Sequence, residues 1–346
     1  MMTTTNTNRY IRTLAAIAAL AVTSSGLLAA QARPAEAAFP GENGKIVFTS
    51  DRTTGQGVNN PEGDREIFSM NPDGTGLKQL THNPWHDIAP ALSPSGIQIA
   101  FTSYKDGDGE IYTMDINGSF QTRLTDNAVY DGEPSFSPLL PNGDGIDIAF
   151  TSGRDSNDLD FEIYKMNADG TEQDRLTEGP GTDEAPSWSP DGKKIAFTSD
   201  RETADNPYGD DEIYTMDPDG SNPTNVSNTD KWSRDEAPSW SPDGKEIAFQ
   251  SNRNANDWEI YKMKADGTQQ INLTNNASSP DFQPSWSPSG TQIAFETLRD
   301  GDREIYTMRA NGLGQINRTN YHPSGNNLSG QDSLPDWGRK PILQQP

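Results

Sequence analysis

One phrase, written six times, constrains this chain more than any other feature. Pro-x-aromatic-Ser-Pro-x-Gly is followed by Ile-Ala-Phe-x-Ser, then Glu-Ile-Tyr-x-Met, then Gly-Thr and Leu-Thr. The apolar triplet ends at Phe48, Phe101, Phe150, Phe197, Phe249 and Phe295, with spacings of 53, 49, 47, 52 and 46 residues. The Glu-led phrase opens at Glu66, Glu110, Glu162, Glu212, Glu259 and Glu304. Self-similarity at such a period marks stacked supersecondary units, none of which can bury its apolar surface alone.

Each copy reads as four short strands. In the fourth copy these are strand a (residues 186–189), b (194–199), c (212–216) and d (around Val226). The a–b link is Ser-Pro-Asp-Gly and the c–d link Pro-Asp-Gly or Ala-Asp-Gly. In such turns Pro presets φ, Asp bonds its own backbone and Gly accepts positive φ. Strands b and c are apolar without alternation, so both faces should be covered. A two-sheet sandwich would leave one face wet and alternate. The expected fold is all-β, a six-bladed β-propeller of four-stranded blades.

The two ends fit together. The chain enters at strand b of the first copy, and the missing strand a stands at the far end as Leu334-Pro335-Asp336-Trp337-Gly338. The C-terminal strand should therefore join blade 1 and close the ring, which removes exposed sheet edges. Blade 1 takes residues 44–81 with 332–338, blade 2 residues 87–125 and blade 3 residues 131–177. Blade 4 takes 183–227, blade 5 takes 235–274 and blade 6 takes 281–319, within a propeller of residues 39–340 and a tail of 341–346.

Residues 1–38 read as a secretory signal peptide. Arg9 and Arg12 precede a short apolar stretch over 14–22, and small-residue cleavage patterns follow at Ala30-Gln31-Ala32 and Ala35-Glu36-Ala37. That stretch is too short to span a bilayer, which takes roughly 20 apolar residues. The expectation is export, to periplasm, cell wall or the outside. Loss of the leader moves the net charge from −24 to −26. Such acidity argues against nucleic acid and anionic membranes, both of which need clustered Lys and Arg. With no Cys in the chain, disulfides, thiolate metal sites and a cysteine nucleophile are excluded.

The phrases at 185–193 and 237–245, both Ala-Pro-Ser-Trp-Ser-Pro-Asp-Gly-Lys, resemble the repeat of TolB-type propellers. Residues 195–199, residues 212–216 and the pairs Leu80-Thr81, Leu124-Thr125, Leu176-Thr177 and Leu273-Thr274 extend the resemblance over about residues 44–338. TolB proteins carry an α/β domain before the propeller, whereas here the leader runs almost straight into blade 1. The resemblance implies propeller-borne protein binding, since a shared fold does not fix function.

An Asp precedes the Pro of each strand a by three residues: Asp87, Asp131, Asp183, Asp235, Asp281 and Asp332. Strand a should be innermost, so these carboxylates are expected to ring a tunnel mouth. The b–c loops add acid on the same face, as in Asp106-Gly107-Asp108-Gly109 and Asp300-Gly301-Asp302. Such a mouth suits a protein or peptide partner of basic character, or a hard cation such as Ca²⁺. The same Asp could instead pin the strand entry by accepting backbone N–H bonds. Arg52, Arg154, Arg201, Arg253 and Arg299, with Lys105 in the second copy, end strand b, and each is expected to pair with the Glu that opens strand c.

His82, His86 and His322 should share the acidic face in adjacent blades, where imidazoles beside Asp87 could hold Mn²⁺ or Zn²⁺. That defines an alternative: a metal-dependent polysaccharide lyase or hydrolase, as some propeller lyases resemble this plan. No hydrolase elbow, phosphate-binding Gly-rich loop or His-Glu-x-x-His motif occurs. A non-catalytic, monomeric binding module without a fixed cofactor is the leading expectation. A third is a bare scaffold that binds through outer loops such as residues 53–64.

Overall fold

A computed structural model describes residues 39–341 apart from 140–144, 155–159, 230–231, 255–256, 277–278 and 322–330. The expected leader therefore lies outside the described residues. Six four-stranded antiparallel sheets form the molecule, each in the order a-b-c-d. Strands a of successive blades adjoin one another in a closed circuit around the axis. Strand a of blade 1 is the C-terminal segment Asp332–Arg339, paired with Asn43–Ser50, so the ring closes as the sequence requires.

Burial explains why strand b lacks alternation. In blade 4, Ile195 and Phe197 pack with Trp188, Tyr214 and Met216 against Ala149 and Ile163 of blade 3. The intervening Ala196 faces the other way, into the cluster of Trp240, Ile247 and Phe249 of blade 5. Each blade thus presents large side chains to one neighbour and a small residue to the other. All three of these strand-b residues are fully buried. Each large side chain so covered contributes on the order of 1.5–3 kcal/mol. At the seam, Ile46, Phe48, Phe68, Met70 and Trp337 pack on Ala294 and Ile305 of blade 6.

The c–d turns dock each blade on the one before. Gly220 has φ of 83° and its Cα faces the carbonyl of Leu176, where a Cβ would lie 2.2 Å from the oxygen. Only glycine satisfies both demands.

Strand a starts three residues earlier than the sequence suggests, at the Asp itself: Asp183–Trp188 in blade 4. Its pairing with strand b slips between Glu184 and Ser187. The cause is a left-handed residue two positions after the Asp: Ala89, Glu133, Ala185, Ala237, Gln283 and Leu334 have φ of 51–58°. In blades 2 to 6 the N–H that this bulge frees is taken by strand b of the preceding blade. Ala89 donates to Thr49 Oγ1 (3.2 Å), Glu133 to Thr102 Oγ1 (3.0 Å), Ala185 to Thr151 Oγ1 (3.1 Å) and Ala237 to Thr198 Oγ1 (3.1 Å). Gln283 donates to Gln250 Oε1 (2.9 Å). A buried N–H must find an acceptor, so these bonds stitch the inner strands together.

The chain enters across the a–b turn end of the axis. Phe39 is buried in one cluster with Ala91 and Phe136 of blades 2 and 3, while Gly41 N–H donates to Pro288 O in blade 6 (3.1 Å). Among the described residues no helix is long and apolar enough to cross a membrane.

Candidate functional site: the tunnel mouth

The six Asp open the inner strands at the end of the axis that carries the b–c loops and d–a links, and all are buried. Five bond the arginine that follows strand b of their own blade: Arg52 to Asp332, Arg154 to Asp131, Arg253 to Asp235, Arg201 to Asp183 (2.5 Å) and Arg299 to Asp281 (2.8 Å). Each of these guanidiniums also lies over aromatic rings, at 5.3 and 5.2 Å from Phe197 and Tyr214 in blade 4. Asp87 instead accepts from Asn83 Nδ2 (2.6 Å).

The expected arginine pairing with the strand-c Glu is therefore corrected. Strand b lies between strands a and c, so an arginine at its end can turn either way, and the buried strand-a carboxylate takes it. The Glu residues bond the Thr or Ser of the Leu-Thr position instead. Glu162 accepts from Thr177 Oγ1 (2.6 Å), and Glu212, Glu259 and Glu304 accept from Ser227, Thr274 and Thr319. In blade 2 and blade 3 the Glu is paired to an arginine of strand d, Arg123–Glu110 (2.7 Å) and Arg175–Glu162 (2.5 Å). Burial pushes Glu66 and Glu304 up to about 8, and Glu162 and Glu212 up to about 7.

The groups that give the mouth its character occupy the two positions after each Asp. In blades 1 and 2, Leu334, Ile88 and Ala89 form an apolar cluster with Tyr104 against it. In blades 3 to 5 the equivalent positions include Glu133, Glu184 and Glu236. Glu133 Oε2 accepts from Thr151 Oγ1 (2.8 Å) and Ala185 N–H (3.1 Å). Glu236 accepts from Gln250 Nε2 (2.9 Å), and Arg234 reaches Asp211 (2.7 Å) and Glu236 (3.7 Å). Burial raises the carboxyls of Glu184 and Glu236 well above the usual range. Glu133 and Asp211 add repulsion at Glu184, and Asp211 does so at Glu236. In blade 6, Arg303 bonds Glu296 and lies 5.4 Å from the Phe282 ring centroid. The mouth therefore has an apolar arc, an acidic arc and one aromatic–cationic segment.

The acidic b–c loops serve their own turns: Asp106 Oδ2 accepts from Tyr112 OH (2.6 Å), and Asp300 accepts from Tyr306 OH and from Asn317 Nδ2 (2.9 Å). His82 and His86 are exposed, and His86 Nδ1 accepts the Arg65 N–H (3.0 Å). His322 lies outside the described residues, so the three are not seen together. Among the described residues no group of three or more His, Asp or Glu is disposed to hold a metal ion. Glu133, Glu184, Glu236 and Arg234 escape a reading that follows what the copies share. Their signal is acid where blades 1 and 2 carry Ser333, Leu334, Ile88 and Ala89.

The model of the "TolB beta propeller domain" matches residues 25–138, 74–159, 143–236 and 233–336. The chain belongs to the TolB β-propeller family. A "Protein TolB homolog" of Chlorobium luteolum is 30% identical over 177 residues, half of this chain and 34% of that protein. The matched part thus spans about a third of the relative's length. Among solved structures, TolB from Acinetobacter baumannii superposes with a TM-score of 0.68 at 24% identity, over 86% of this chain and 67% of that one. An oligogalacturonate lyase in complex with manganese gives 0.52 at 14% identity, over 82% of this chain and 77% of that one. At these identities the structural likeness is one of fold.

Proposed function

We propose that this member of the TolB propeller family is an exported, non-catalytic binding module, working at the cell envelope or outside the cell, that holds a basic protein or peptide at its tunnel mouth. The observation that carries this reading is the acidic arc. Glu133, Glu184 and Glu236 stand on adjacent inner strands with Asp211 beside them, and Arg234 is the cation bonded among them. A concave mouth of one sign draws in the opposite charge and speeds its capture. The neighbouring apolar arc of Ile88, Ala89 and Leu334 offers the dry contact that protein interfaces need at their centre. Phe39 and Gly41 cover the opposite end of the axis, which favours entry from this face. The six Asp hold the frame on which these groups are mounted.

The test is capture from an envelope extract by immobilised mature protein, compared with the triple variant Glu133→Gln, Glu184→Gln, Glu236→Gln. The expected result is a partner retained by the parent, released by added salt and lost by the variant at unchanged circular dichroism. Equal retention by both proteins, or none by the parent, overturns the reading.

A further inference from the structure

The repeat supplies an internal control for one blade. Five blades seat a guanidinium against the strand-a Asp, with its Nε on the Ser or Thr that ends strand b, as Arg201 does on Ser199 Oγ (2.8 Å). In three of them it also reaches a glutamine of the c–d turn: Arg154 to Gln173, Arg253 to Gln270 and Arg299 to Gln315. Blade 2 keeps the cradle and changes the cation. Asp87 is 1% exposed and stands in register with Ser103; its Oδ1 makes no hydrogen bond, as in Asp235 and Asp332, but where those two hold an arginine on Oδ2, Asp87 holds only Asn83 Nδ2. Phe101 and Tyr112 repeat the ring pair, with centroids 5.9 Å apart at 36°, against 5.8 Å and 34° for Phe197 and Tyr214. Gln121 occupies the glutamine position and is exposed.

The arginine position itself holds Lys105, whose side chain is exposed. Arg123, the register partner of Tyr112, is held instead by Asp106, Glu110 and Asp126. Two more buried carboxylates of blade 1, Asp64 and Glu66, face this group, and Asp64 Oδ2 and Glu66 Oε2 also lack hydrogen-bond partners. Three buried carboxylates thus meet where other blades place a fixed positive charge.

We propose that this sixth cradle is a binding site for an arginine side chain delivered by a protein partner. A planar guanidinium can bond a carboxylate edge-on while its face lies on aromatic rings, as the five internal copies do. An ammonium is a strongly hydrated point charge and matches neither surface as well, which fits the exposure of Lys105. Access is from the solvent side: the equivalent guanidinium side chains of blades 3 to 6 are 18–20% exposed. Only the source of the arginine rests on the protein-binding reading above.

The experiment is calorimetric titration of N-acetyl-arginine methylamide, and of its lysine analogue, into the mature protein and the Lys105→Arg variant. The arginine compound is expected to bind one to one, with the lysine analogue weaker by about tenfold or more. Lys105→Arg supplies the guanidinium in cis, so it should abolish binding and raise the thermal midpoint by about 2–4 °C. Asp87→Asn should also lose binding, and Lys105→Arg covers the case in which that variant folds poorly. No arginine binding by the parent, or undiminished binding by Lys105→Arg, overturns the proposal. The triple Glu→Gln variant should still bind the arginine compound, so the two readings fail separately.

Discussion

The two arcs of the tunnel mouth are built on one backbone and carry opposite chemistry. In blades 1 and 2 the two positions after the Asp are apolar or small enough to pack together, with Ile88, Ala89 and Leu334 as their cluster. In blades 3 to 5 three glutamates take the equivalent places. The bulge is the same in both arcs, with φ of 51° at Ala89 and 58° at Glu133. The N–H of Ala89 and that of Glu133 are both satisfied by a threonine of the preceding blade, so the bulge does not depend on its own side chain. In five blades the Asp–Arg pair, the Pro and the packed aromatic hold the inner strand from behind, and in blade 2 Asp87 with Asn83, Pro90 and Leu92 take those places. The frame is thereby uncoupled from the display: changes behind the strand should cost stability, and changes on the tunnel side should alter binding.

The sharpest way to break that division is to attack the frame at its seam. Arg52 and Asp332 tie the C-terminal strand to the N-terminal one, with side chains only 3% and 0% exposed. Arg52 also packs over Phe48, Phe68 and Tyr321 at 5.6, 5.4 and 4.8 Å. Arg52→Ala leaves a buried carboxylate without its cation and should cost about 3–5 kcal/mol in urea unfolding. Arg201→Ala, at an 18% exposed side chain inside the array, should cost only about 1–3 kcal/mol. Equal losses would mean that closure carries no special weight.

Next in size comes a titration at the same seam. Asp336 stands where four other blades carry Ser135, Ser187, Ser239 and Ser285. It accepts from Leu92 N–H (2.8 Å) in blade 2 and from Ser285 Oγ (3.2 Å) in blade 6. Burial with no cation nearby pushes its carboxyl up to about 7. The folded state therefore favours the neutral acid. What Asp336 contributes is intact below the unfolded pKa of 3.8 and is lost as pH rises through about 7. Asp336→Ser removes this penalty, so the variant should gain on the parent between pH 4 and 8, by up to about 4 kcal/mol at the top. Unfolding free energies at pH 4, 6 and 8 read it, and parallel curves would place the carboxyl in water.

Much of the frame was legible in the sequence because propeller blades are nearly identical local problems. Six triplets ending in Phe, the Asp-Gly turns and the displaced Leu334–Trp337 phrase set blade number, phase and closure. What escaped were relations that spacing cannot rank. An arginine after strand b lies between Asp183 and Glu212 with no sequence sign of which it will meet. The start of strand a was hidden by the bulge, because a left-handed Ala185 before Pro186 breaks the register that periodicity assumes. The acidic arc escaped for a different reason. Glu133 is the one acid at the second position after the Asp, and at the first position Glu184 and Glu236 stand among Ser333, Ile88, Gly132 and Phe282, so no shared pattern marks an acidic arc.

The smallest effect bears most directly on the arcs. The Glu184 side chain has no hydrogen bond or ion pair among the described residues; it faces the charges of Glu133, Asp211, Glu236 and Asp200, with Arg234 acting on it only at longer range. Glu236, two strands of the same arc away from Glu133, has Gln250 bonded at 2.9 Å and Arg234 within 3.7 Å. Neutralising the first should relieve repulsion, whereas neutralising the second also gives up an ion pair and a charged hydrogen bond. Glu184→Gln is therefore expected to stabilise by about 1 kcal/mol above neutral pH. That gain should vanish towards pH 4, where the carboxyl is protonated in both states. Glu236→Gln should stabilise less, or destabilise. If both variants behaved alike, Arg234 would not be organising the arc, and the acidic mouth would be a plain sum of charges rather than a site with one open carboxylate.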